Sequence, residues 1–286
     1  MNENKRKLYI LMANSFILYI LAYFLVHIPA QFFTYLIASV FDVPTKFSYF
    51  KLGFPIPDHS YLWTSDSVAA IYITAPIIAL FIAIFVARYY VLFSAKKSIN
   101  FNLLLIWIYA HCINLFFGGL TIGIPLIKGF GYVPNWLYAS DELSFFFILI
   151  SLLILFGNGF ILKTSFRSLY FDHQYFNSPF HSLLFKIFVA FVPFVMANIF
   201  FFLIQFPDNS IYERLIGVTM IIQLIGILPF SPVYQPVEFD FKPVSFVYKG
   251  LLLLIVIFLA LFLWKTMHNQ FFYKNAENSE MIQNAE

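Results

Sequence analysis

Residues 67–90 read SVAAIYITAPIIALFIAIFVARYY, uncharged from Ser67 to Ala87. A helix needs about 20 such residues to cross the roughly 30 Å hydrocarbon layer of a bilayer. Thr64, Ser65 and Asp66 stand immediately before the run, where hydroxyl and acidic side chains satisfy the free amides of a helix start. Comparable apolar runs occupy 8–28, 101–121, 143–163, 184–206 and 247–264, and Ser140, Asp141 and Glu142 precede the one at 143 as caps. Six such runs predict an all-α, polytopic transmembrane helix bundle. A seventh run, Leu215 to Phe230, is shorter and meets Pro229 and Pro232. It reads as a short tilted span or a re-entrant segment.

Composition carries the same message. The 286 residues are 61% hydrophobic and 11% charged, with a mean hydropathy of +0.82. Ordinary soluble domains are roughly 45–50% apolar and about 25% charged. Forty Phe and 18 Tyr provide apolar bulk, and Tyr and Trp near segment ends suit the headgroup boundary. The net charge of +3 comes from a few Lys and Arg at segment ends, so it reports topology and gives no nucleic-acid footprint. The single cysteine, Cys112, lies in an apolar run, which excludes a disulfide framework and a thiolate metal cluster.

Lys5, Arg6 and Lys7 precede the first run, whose length reads as an uncleaved span and not as a removable signal. With Arg88, Lys96, Lys97, Lys163 and Arg167, they mark one set of loops as richer in positive charge than the loops holding Lys128 or Arg214 alone. The positive-inside rule then puts the amino terminus in the cytoplasm of a plasma or inner membrane. Six full spans with the short run as an incomplete crossing return the carboxyl terminus to the cytoplasm, in keeping with Lys265 and Lys274; seven place it outside. Residues 1–274 form a single transmembrane domain, and the polar tail 275–286 reads as disordered. The stretch 42–66, rich in Pro, Gly, Lys and aromatics, suits a short β-hairpin or an interfacial loop. The prolines of 231–246 forbid a continuous helix. No internal repeat is visible.

Polar side chains inside apolar spans are costly unless paired, so function is sought there first. They are Asn14, His27, His111, Asn114, Asn158, Asn198, Gln205 and Gln223; no Asp or Glu falls in the middle of a strong span, which weakens a proton- or sodium-coupled carrier. His111 and Asn114 are three apart, on one helical face. Gly119 and Gly123 follow as a G-x-x-x-G spacing, which predicts close packing on a neighbouring helix. Inter-helix hydrogen bonding is the leading account of His111, Asn114, Asn158 and Asn198, ahead of a ligand site, and a lone histidine holds no metal without partners from other helices. The candidate polar centre is His27, Gln31, His111, Asn114, Asn158 and Asn198. No catalytic residue, metal ligand set or cofactor is assigned.

The ordered set His27-Ile28-Pro29-Ala30-Gln31, a hairpin-like stretch, and Ile73-Thr74-Ala75-Pro76 resembles site-two-type intramembrane zinc proteases over roughly residues 15–90. In that family a helix bears H-E-x-x-H, a small β region follows, and an A-G-P motif opens the next helix. The resemblance puts His27 at the first zinc-ligand position, Ile28 at the water-activating glutamate and Gln31 at the second histidine. The family's distal motif has an echo in Gly226-Ile227-Leu228-Pro229, with Tyr234 at the aspartate. A zinc site of this kind needs three protein ligands and a metal-activated water. The resemblance therefore implies an inactive relative that keeps the scaffold. Without kinship, His27 is an interfacial histidine and Pro29 ends its helix.

Three functions stay open. The first is a non-catalytic scaffold or binding protein, its partners the lipid bilayer and a membrane protein or second copy docked on the Gly119/Gly123 face. The second is an intramembrane metal-dependent hydrolase, which requires His27, His111 and Asn114 to converge. The third is a small-molecule permease with a polar path past Asn158, Asn198 and Gln223.

Overall fold

A computed structural model describes residues 3–48, 51–57, 59–93, 98–172, 176, 178–205, 211–229, 244–258 and 260. The tail from 275, most of the proline-rich stretch 231–246, and Lys96, Lys97, Tyr234, Lys265 and Lys274 lie outside them.

The first apolar run becomes α1, Glu3–Val40, which continues straight through Pro29. Proline removes one intrahelical donor, and membrane-type helices tolerate that where neighbours pack around the gap. The expectation that Pro29 ends this helix is thus corrected; the end lies at Asp42. That residue takes a left-handed φ of 53°. The Val43 amide donates to the Ala38 carbonyl at 3.0 Å and the Asp42 amide to Ser39 at 3.3 Å, the paired bonds of a Schellman stop. Beyond it, β1 (Lys46–Ser48) and β2 (Lys51–Gly53) pair antiparallel, with Phe47 opposite Leu52. The hairpin expected between 42 and 66 is present. A small apolar cluster of Ala38, Val43 and Ile71 with Phe54, Leu62 and Trp63 ties it to the helices.

Helix α2 (Ser65–Phe93) begins with a reciprocal cap. The Ser67 amide donates to Thr64 Oγ1 at 3.1 Å, and the Thr64 amide to Ser67 Oγ at 2.9 Å. Helix α3 (Ile99–Ile113) passes through a π-helical turn, Asn114–Gly118, into α4 (Gly119–Leu126). After the short α5 (Tyr132–Trp136), α6 (Asp141–Arg167) starts at Ser140, whose Oγ accepts from Leu143 as the sequence predicts. A second rod joins α7 (Pro179–Lys186) through a π-helical turn, Ile187–Phe191, to α8 (Val192–Gln205). Helix α9 (Ile211–Ile227) is the short seventh run, and α10 (Tyr248–Phe258) is the described part of the run at 247–264.

Five rods among the described residues are long and apolar enough to cross a membrane: α1, α2, α3–α4, α6 and α7–α8. Their outward faces carry rows of exposed apolar side chains, such as Phe81, Ile84 and Phe85 on α2 and Phe145, Leu153 and Ile161 on α6. Water-soluble monomers rarely show so much contiguous apolar surface.

Cross-contacts fix the direction of each rod. Along α1, Ser15 meets Trp107 and Tyr19 meets His111, so α3 runs parallel to it. Tyr9 against Phe188 and Tyr23 against Phe201 make α7–α8 parallel too. Helix α2 runs the other way, with Tyr72 at Tyr132 and Tyr89 at Phe101. So does α6, whose Phe166 and Ser168 reach Trp107 and Tyr90. Helix α9 is antiparallel to α7–α8, with Gly217 against Asn198 and Leu228 at Lys186. Helix α10 is parallel to α1: Val247 bonds Asn14, and Phe258 packs on Phe24. Seven rods therefore alternate in direction.

Candidate functional site

Every fourth residue of α1 from Tyr19 onward, namely Tyr23, His27 and Gln31, falls on one helical face, with Ala30 and Thr34 beside them. This stripe forms one wall of a cavity of about 380 Å³ between α1, α2, the α3–α4 rod, α8 and α9. From Tyr19 to Thr34 the wall is ~22 Å long at helical rise. Small residues, Ala30, Ala75, Gly129 and Gly217, line it together with Phe54, Tyr72, Phe130 and Phe201.

Tyr19 makes the floor. Its ring packs edge-on against Trp107 at 4.8 Å and His111 at 4.4 Å. Its hydroxyl donates to Met220 Sδ at 3.4 Å and accepts from Asn198 Nδ2 at 3.3 Å. Below it the core is solid. Trp107 Nε1 donates to Ser15 Oγ at 2.9 Å, and Ser15 Oγ donates to the Val189 carbonyl at 2.5 Å. Val189 lies in the second π-helical turn, where the widened backbone frees carbonyls from the helical ladder.

His27 stacks on Tyr23 at 4.0 Å, Tyr23 lies against Phe201 at 4.3 Å, and the His27 and His111 ring centres are 6.5 Å apart. His111 Nε2 lies 3.2 Å from the Tyr19 carbonyl. A carbonyl only accepts, so this nitrogen carries the proton and Nδ1 is left as an acceptor. Asn114, the first residue of the π-helical turn, donates to the Ile216 carbonyl at 2.7 Å and accepts from Thr219 at 3.0 Å, holding α9 against the wall. Tyr212 is fixed at the other end by the Phe130 amide at 3.2 Å.

Of the six residues expected at a polar centre, the structure brings five to the cavity: His27, Gln31, His111, Asn114 and Asn198. Asn158 sits elsewhere. It donates to Gln223 Oε1 at 2.7 Å, and Gln223 donates in turn to the Ala110 carbonyl at 3.3 Å. Both side chains bind helices together, and neither lines this cavity.

Gly119 and Gly123 also need correction as a docking face for another protein. Both are buried. A Cβ on Gly119 would meet Tyr212 and Phe130, and one on Gly123 would lie 2.6 Å from the Gly131 amide nitrogen. The chain's own turn occupies that face. A close helix crossing instead lies at Gly159 on Gly226, where an added Cβ would come within 2.6 Å of the opposite Cα.

The sequence reading missed Tyr19, Tyr23, Phe201 and Tyr212, although the four-residue spacing of Tyr19, Tyr23, His27 and Gln31 was a usable signal. It also missed Lys186, which is buried and donates to the Leu228 and Pro229 carbonyls at 3.1 and 3.0 Å. It thereby completes the carboxyl end of α9, where a cation opposes the helix dipole.

Chemically, the deep cavity offers two imidazoles, amides and phenols. The charged lining residues are Glu213 and Arg214, and the Arg214 guanidinium sits 4.9 Å over the Phe202 ring. Among the described residues no group of three His, Cys, Asp or Glu is placed to hold a metal. Compared with family models, curated proteins and solved structures, the chain has no match, so its own geometry carries the functional reading.

Proposed function

We propose that this chain is an integral, multi-pass membrane protein that holds a small molecule in the cavity between α1, α2, α8 and α9, as a binding protein and not as an enzyme. The observation that carries this reading is the convergence of His27, His111 and Asn198 on one cavity with aromatic walls. Such a space, mostly apolar with a few directed polar groups, is the common form of a ligand site. The sealed floor at Trp107 and Ser15 supports retention over passage.

In this reading the amino terminus is cytoplasmic, because Lys5, Arg6, Lys7, Arg88, Lys163 and Arg167 gather at one end of the alternating rods. The alternation further supports seven crossings, which puts the carboxyl terminus on the opposite side. Topology reporters at the two termini are expected on different sides; finding both on one side would remove the seven-crossing arrangement. The hairpin between α1 and α2 supports kinship with the site-two-type scaffold, in an inactive form.

A second reading, the metal-dependent hydrolase, draws on the nearness of His27 and His111. It needs a third ligand and an activated water. Stoichiometric zinc in the purified protein, lost in His111→Ala, would replace the binding reading with this one.

The direct test is native mass spectrometry of the full chain released from mild detergent. A discrete mass increment is expected in the wild type and absent in Ala75→Phe, which fills the cavity from α2. Bare protein in both samples would sink the proposal.

A further inference from the structure

Exposure along the cavity walls is uneven. Most lining residues are buried or half-buried; the exposed ones are Phe202, Arg214 and Val218, the first and last at 43% and 53%. All three belong to α8 and α9. Helix α8 packs on α1, whereas α9 packs on α6 and on the first π-helical turn, so α8 and α9 share little of their length among the described residues. Elsewhere the walls are tighter: Tyr19 is buried at the floor, and Thr34, Ile71 and Phe130 are buried toward the hairpin.

Two side-chain contacts cross the seam between α8 and α9. The Arg214 guanidinium sits over the Phe202 ring, and Asn198 Oδ1 lies 2.7 Å from where a Cβ on Gly217 would stand. A cation over an exposed ring is a weak tie, and Gly217 adds no side chain to hold the helices together. The surroundings are apolar: Val195, Ile199 and Leu203 on α8 and Ile221 and Ile225 on α9 are exposed. In a membrane-spanning chain such surface meets hydrocarbon. Since α8 runs parallel to α1 and Phe202 is near its carboxyl end, the seam lies in the half of the bilayer remote from the amino terminus.

Resting on the binding reading above, we propose that the seam between α8 and α9 is a lateral portal through which a lipophilic molecule dissolved in the bilayer enters the cavity, with Arg214 on Phe202 as its latch.

The probe is trifluoromethyl iodophenyl diazirine, a small lipophilic photoreagent, applied to the full chain in lipid nanodiscs; a sulfonated aryl diazirine is applied in parallel from water. Modified residues are mapped by mass spectrometry, with Phe81 and Phe85, exposed on the outer face of α2, as the lipid-side reference. The double variant Asn198→Cys/Gly217→Cys, a pair within side-chain reach, pins the seam when oxidised and frees it when reduced, so the loss of Asn198 is common to both states. The lipophilic reagent is expected to modify Tyr23 and His27 in the wild type and in the reduced variant. Oxidation should abolish this while Phe81 and Phe85 stay labelled. After a short incubation, Arg214→Ala should raise labelling of Tyr23 and His27 above wild type. Should the double variant not fold or not oxidise, Arg214→Ala carries the comparison by itself.

Equal labelling of Tyr23 and His27 in oxidised and reduced protein would overturn the portal, and labelling unchanged in Arg214→Ala would overturn the latch. Labelling of these two residues by the sulfonated reagent alone would also overturn the portal, while leaving the cavity a binding site filled from water. If neither reagent reaches them the portal falls, and the binding reading then stands or falls on the co-purified mass.

Discussion

The two halves of α1 are equally apolar in sequence and opposite in use. From Leu11 to Tyr19 the helix is packed solid: Leu11, Asn14, Ser15, Ile17, Leu18 and Tyr19 are all buried, and Trp107 fills the space beside Ser15. From Tyr23 to Thr34 the same helix lines a cavity, whose other walls include Tyr72, Phe130, Phe201 and Tyr212. Polar groups follow the division. In the solid half they are consumed by partners, as Asn14 is by Asn100, Ser245 and Val247. In the cavity half, His27 and His111 line the cavity.

That contrast can be broken by mutation. Trp107→Ala removes a fully buried indole and the Ser15 hydrogen bond, and should lower stability by about 3–5 kcal/mol, read as unfolding of the nanodisc-embedded protein. A loss no larger than that of a cavity-lining variant would mean that the two halves are not different. Gly159→Leu puts a side chain where α6 touches α9. Overpacking there should cost about 1–3 kcal/mol, and an unchanged thermal midpoint would show that this crossing is loose.

The smaller effects sharpen the line between glue and site. Gln223→Leu strands the Asn158 amide and should cost about 1 kcal/mol, typical of inter-helix hydrogen bonds in membranes, with ligand retention unaltered. His27→Leu should change stability by less than about 0.5 kcal/mol while weakening retention of the bound molecule. If His27→Leu unfolds the protein as readily as Gln223→Leu does, His27 is a packing residue and the division of α1 fails.

Much of the architecture was legible beforehand. Uncharged runs of about 20 residues admit one structure in hydrocarbon, a helix that satisfies its own backbone, and Thr64, Ser65 and Ser140 marked starts that the structure keeps. The hairpin was signalled by its turn-forming composition. Pro29 misled because a local rule for helix ends yielded to packing around α1. The GxxxG spacing at Gly119 misled because spacing names a close approach without naming the neighbour, which proved to be the chain's own turn.

Among the polar residues, the sequence chose the right types but could not sort them. Asn158 and Asn198 read alike in their apolar runs; one meets Gln223 and the other faces the cavity. By itself, then, the sequence determined the helical class, the approximate helix positions and the short set of side chains worth questioning, because burying backbone in an apolar medium leaves no other choice. Which helices touch, where a void is left between them, and which imidazoles share it were decided only by tertiary structure, since each depends on pairs of residues that stand far apart in the chain.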